Sequence, residues 1–114
     1  MRMNREVAIK NIRAAEAAVV PAIKMALGTN RDVRCVTGFK TGDIKVFANM
    51  IVADVVMSPA EETSLAAARK VRADAQLGEE IEIDVTPENP RPISALVAKE
   101  AIAQALRGGK REGR

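Results

Sequence analysis

The chain has 114 residues and a net charge of +3, with 47% apolar residues but only 2% aromatic ones. A length of this order is expected to form one domain with a modest core. The absence of His and the single Cys35 exclude a His-based general acid or base, an internal disulfide and a multi-Cys metal cage.

Base stacking on aromatic platforms is also nearly excluded, since Phe39 and Phe47 are the only rings. No apolar run is long enough to span a bilayer, and the charged start "MRMNREVAIKNIR" is unlike a signal peptide. A cytoplasmic protein is expected. Charge is segregated along the chain. Residues 1–53 hold nine basic against four acidic residues, 54–88 three against nine, and 89–114 six against two. Basic ends suit phosphate, whereas an acidic middle is expected to avoid it.

In chain order, Asn4 is expected to cap a first helix with Glu6 in its first turn. Ala8, Ile12, Ala15 and Val19 recur at helical spacing and form an apolar stripe, with Lys10 and Arg13 on the far side. Pro21 either ends this helix or starts a second, which stops at Gly28. "VRCVTGF" reads as a strand with Cys35 buried in it. Thr41-Gly42-Asp43 turns it into a second strand over residues 44–53, where Ile44, Val46, Ala48, Met50 and Val52 share one face. The two make a hairpin.

"EET" at 61–63 reads as loop, and Ser64 as the cap of a short helix, "LAAARKV". "EEIEIDV" alternates strictly, placing Ile81, Ile83 and Val85 opposite Glu80, Glu82 and Asp84. The three prolines of "TPENPRP" require irregular backbone. A last helix is expected from about Ile93 to Arg107. Val97, Ala98, Ala101, Ile102, Ala105 and Leu106 form its apolar face, and Lys99, Glu100, Gln104 and Arg107 the opposite one. Both helical stripes are expected to be core, so a charge at Ile12 or Ile102 is expected to unfold the domain. The fold class expected is α+β: N-terminal helices, an antiparallel or mixed sheet of three to four strands and a C-terminal helix. Residues 1–107 form the domain, and 108–114 a flexible basic tail.

No nucleophile–base pair can be assembled, and the single-glycine turns are not phosphate cradles. No enzyme activity, cofactor, metal or small-molecule substrate is expected. An interaction module is favoured, a stand-alone nucleic-acid-binding module being one alternative.

Several collinear pieces carry a family resemblance: "MNREVA", "AIKMALG", "KTGDIKVF", "VVMSPAEETSLAAARKV", "DAQLGEEIEIDVTPE" and "RPISALVAKEAIAQALR". Together, from residue 3 to residue 107, they resemble the N-terminal domain of the bacterial transcription termination and antitermination factor NusA. The resemblance implies docking on core RNA polymerase near the RNA exit channel. It also implies an effect on hairpin-dependent pausing, termination and antitermination. It makes Arg91 and Lys99, with Arg31 and Arg34 in support, candidates for contact with a nascent RNA hairpin. Lys10, Arg13 and Lys24 are candidates for polymerase contact. The sequence departs from the family in its shorter helical start, the additional Pro92 and Glu100 in place of Gln. The family continues into OB-fold and KH domains, so the chain is expected to be either part of a longer protein or a stand-alone relative.

Overall fold

A computed structural model describes residues 5–38 and 40–112, with side chains from Glu6 to Arg107 except Phe39. The expected Asn4 cap and the Phe39 end of the first strand lie outside the described residues. The order is α1 (Arg5–Ala18), α2 (Val20–Leu27), β1 (Val33–Thr37), β2 (Ile44–Ala53), β3 (Glu62–Ser64), α3 (Leu65–Val71), β4 (Glu80–Asp84) and α4 (Arg91–Glu112).

Pro21 resolves as the start of a second helix. It lies in the first turn of α2, where a backbone N–H has no helical partner to lose. Gly28 closes α2 at φ 68°, a left-handed conformation that costs glycine little, and its N–H caps the last turn. Ser64 caps α3 as expected, its hydroxyl accepting from the Ala67 N–H at 3.1 Å. Helix α4 begins earlier than expected and continues through the two glycines at 108 and 109 to Glu112.

β2 is the central strand. Its hairpin partner β1 runs antiparallel along one edge, pairing Val33 with Ala48 and Thr37 with Ile44. β4 runs antiparallel along the other edge, pairing Phe47 with Asp84 and Ile51 with Glu80. Glu62 and Thr63, expected to be loop, instead form β3 with Ser64 (Glu62–Ser64), which pairs in parallel with Ile51 to Ala53 beyond the end of β1. The cause lies in residues 54–61. The Glu62 carboxylate turns back to accept from the Met57 and Ser58 N–H groups at 2.8 and 3.0 Å. Those N–H groups, Ser58 first, hold Glu62 below its ordinary carboxylate range. The tightened loop brings the chain back beside β2 for three residues.

The even-numbered residues of β2 are all buried. Ile44, Val46, Ala48 and Met50 pack with Ala15, Val19 and Ile23 from the first two helices and with Ile93 and Val97 from α4. A second cluster joins Val52, Ala68, Ala75 and Ile81 beneath α3. The α1 stripe therefore faces the core, with Ala15 and Val19 buried and Ile12 half-buried.

The α4 stripe does not. Ile93 and Val97 are buried, but Ile102 and Leu106 are each 63% exposed. The arc that meets the sheet is centred on Ile93, Val97 and Ala101, whereas Ile102 and Leu106 lie about 140° and about 180° around the helix from Val97. Past Ala101, α4 leans chiefly on α1 among the described residues.

Glu16 lies between Ile12 and Val19 on the buried side of α1 and is only 5% exposed. It accepts from the Thr37 N–H at 2.7 Å and from Arg13 at 2.8 Å, so the buried charge ties α1 to the end of β1. Beside it, the Cys35 thiol donates to the Glu16 carbonyl at 3.7 Å. Burial, then the nearby Glu16 charge, pushes Cys35 up to about 11. At neutral pH it holds roughly a hundredfold less thiolate than an ordinary cysteine. Native labelling by a thiol reagent is expected to be slower than labelling in denaturant by at least that factor. Comparable rates would place Cys35 outside the core.

Candidate functional site

Three surfaces are suited to meeting a partner. The first is the outer face of the sheet, built from the odd-numbered residues of β2, the outward residues of β1 and the acidic side of β4. The Arg34 guanidinium binds Glu82 through two hydrogen bonds, Nε to Oε2 at 2.6 Å and Nη2 to Oε1 at 2.7 Å. It lies over the Phe47 ring, 4.6 Å from its centroid. Arg31 donates through Nη2 to Glu80 and through Nε to the Asn49 carbonyl at 2.8 Å. Lys45 approaches Asp84 at 3.9 Å.

These contacts set the titration of the face. Arg34 holds Glu82 below the usual carboxylate range, and Glu82 raises Arg34 in return. Asp84 is lowered first by the Thr86 hydroxyl and N–H, with Lys45 adding a smaller pull. The basic first half of the chain and its acidic middle, separate in sequence, thus meet across β2. Arg31 and Arg34, two of the four RNA-contact candidates, are held in this ladder.

The second surface is the start of α4. Arg91 is the first residue of the helix rather than part of the preceding loop, and its N–H donates to Asn89 Oδ1 at 3.2 Å. Pro92 falls in the first turn, where proline is tolerated. Arg91 is exposed and lines an open groove of about 740 Å³ between the hairpin turn at Gly42 to Lys45 and residues 86–90. Lys99, two turns along, is also exposed. Neither holds a carboxylate among the described residues.

The third surface was not anticipated. Ile102 and Leu106 of α4 meet Ala8 and Ile12 of α1 in an apolar furrow of about 290 Å³, with Ala101 and Ala105 at its base. Val7 adds a further half-exposed apolar side chain on α1. A large exposed apolar patch marks a surface that meets a partner more often than one that meets water. The sequence carried a partial signal. The apolar residues of α4 cover an arc wider than one layer of sheet can bury.

At 100° per residue, Arg91, Lys99, Ile102 and Leu106 fall within an arc of about 80° on α4. One exposed helix face is therefore cationic in its N-terminal half and apolar in its C-terminal half. The polymerase-contact candidates are elsewhere. Lys10 is exposed on α1, Arg13 is bound to Glu16, and Lys24 is half-buried in the last turn of α2. Among the described residues no carboxylate, Cys or His cluster fits a metal ion, and no helix is long and apolar enough to cross a membrane.

A family model, the NusA N-terminal domain, matches residues 3–112. The transcription termination/antitermination protein NusA of Bacillus subtilis (strain 168) is 34% identical over 100 residues, covering 88% of this chain and 27% of that protein. The protein of the same name from Halalkalibacterium halodurans is 31% identical over 100 residues, covering 88% of this chain and 26% of that protein. The chain thus spans about a quarter of the length of these curated relatives. The solution structure of the N-terminal domain of NusA from B. subtilis superposes with a TM-score of 0.62 at 32% identity. It covers 95% of this chain and 85% of that one. Its match to the family model over nearly the whole length, in sequence and in fold, places the chain in the NusA N-terminal domain family.

Proposed function

We propose that this chain is the polymerase-docking domain of a cytoplasmic transcription termination and antitermination factor. In this reading it sits near the RNA exit channel of bacterial RNA polymerase and modulates hairpin-dependent pausing and termination. The observation that carries the reading is the divided face of α4. Ile102 and Leu106, with the furrow against α1, offer an apolar anchor of the kind that dominates protein interfaces. Arg91 and Lys99 on the same face offer charge to the phosphates of a nascent RNA hairpin held beside the docked domain. Lys10, Arg13 and Lys24 are supporting cations for docking rather than its anchor.

The test is a binding measurement with core RNA polymerase. The double change Ile102→Glu plus Leu106→Glu is expected to leave the thermal melt close to wild type, because both side chains are largely exposed. It is expected to weaken association by about tenfold or more, since two apolar anchors are replaced by charges that must be desolvated. Wild-type affinity in the double variant would remove the furrow from the docking surface.

A further inference from the structure

We propose that the outer face of the sheet is a latent binding surface for a single-stranded RNA backbone, kept closed by the chain's own acidic strand. Arg34 engages Glu82 in the two-pronged geometry that a guanidinium also uses for phosphate. Beside it Arg31 reaches Glu80 through a single hydrogen bond from Nη2, and Lys45 faces Asp84. The three carboxylates occupy alternate positions of β4, about 6.8 Å apart along an extended strand. They form a row of anions on a regular spacing, set opposite a row of cations. β4 therefore stands where a phosphate backbone would lie.

The cations are already oriented. Phe47 supports the Arg34 guanidinium from below, and the Asn49 carbonyl fixes Arg31. What bars phosphate is the sign of β4, not the lack of donors. Exposed ion pairs of this kind are close to break-even in water, so a competing anion meets little resistance once the carboxylates are neutral. The device keeps this face silent and leaves α4 as the side from which RNA is approached. This meaning rests on the reading of the chain as one that works beside RNA, while the test below needs no polymerase.

The probe is a single-stranded oligouridylate of about 12 nucleotides, titrated against the 114-residue chain at several salt concentrations. Glu80→Gln plus Glu82→Gln is expected to tighten binding about tenfold at low salt. It is also expected to steepen the plot of log affinity against log salt by about 1.4, the value for two added phosphate contacts to a single strand. Glu6→Gln plus Asp54→Asn makes the same change in net charge at exposed carboxylates outside the ladder, and is expected to keep the wild-type slope. Adding Arg31→Ala and Arg34→Ala to the first variant is expected to cancel its gain.

A double variant no different from the charge-matched control would overturn the proposal, as would a gain that survives loss of both arginines. Should the double variant melt early, Glu82→Gln alone decides the matter through a slope change of about 0.7. A wild-type slope there has the same overturning force. Failure here leaves polymerase docking untouched, and failure of docking leaves these titrations to be judged on their own.

Discussion

Val46→Asp is expected to abolish the folded state. Val46 is fully buried near the start of β2, the strand that every other strand of the sheet pairs with. Its backbone is engaged toward β4's side, its N–H donating to Thr86 Oγ1 at 2.8 Å and its carbonyl accepting from the Val85 N–H at 2.8 Å. The side chain points into the cluster formed by both N-terminal helices and α4. An aspartate there is a buried charge without a partner, at a cost of several kcal/mol. That is comparable with the whole stability of a small domain, about 5–15 kcal/mol.

A circular-dichroism melt is expected to show no cooperative transition near physiological temperature. A melt close to wild type would mean that the inner face of β2 is not the core. Ile12→Asp is expected to destabilise less, because Ile12 is only half-buried at the edge of the cluster. A charge at Ile102, expected from periodicity to be as damaging as one in the core, is expected to cost under about 1 kcal/mol on its exposed face.

The second large effect is functional. Arg91→Ala plus Lys99→Ala is expected to leave the melt nearly unchanged, since both side chains are exposed and neither holds an ion pair among the described residues. Added to a transcribing polymerase at low salt, the double variant is expected to lose most of its prolongation of hairpin pauses. Its deficit relative to wild type is expected to shrink as salt rises, because phosphate contacts are lost from both proteins as counterions compete. Association with core polymerase is expected to stay near wild type, which separates this variant from the Ile102→Glu plus Leu106→Glu pair. Pause lifetimes equal to wild type at low salt would remove Arg91 and Lys99 from RNA contact and leave docking alone.

Much of the fold was legible in the sequence because its signals are local. The strict alternation of "EEIEIDV" can sit only as a strand with its isoleucines on one side, and Ile81 is indeed buried while Glu80, Glu82 and Asp84 are exposed. Gly28 needs a positive φ and Ser64 needs only the N–H three residues on, so each could be placed without knowing what packs nearby. The apolar face of β2 was legible for the same reason.

Tertiary structure decided the rest, and each case turns on contact between distant segments. The parallel pairing of β3 depends on Glu62 reaching back to the N–H groups of Met57 and Ser58, which no periodicity records. The charge blocks suggested basic surfaces free to meet phosphate. The register of β2 with its two neighbours instead set Arg31, Arg34 and Lys45 against Glu80, Glu82 and Asp84. Glu16 reads as a polar break in an apolar stripe until β1 supplies the Thr37 N–H that it accepts from. On α4, spacing put Ile102 and Leu106 on one side of the helix, although Lys99, expected opposite them, lies within about 60° of both. Whether that side met the sheet or stayed open depended on where the sheet ended, and helical periodicity holds no information about what lies opposite it.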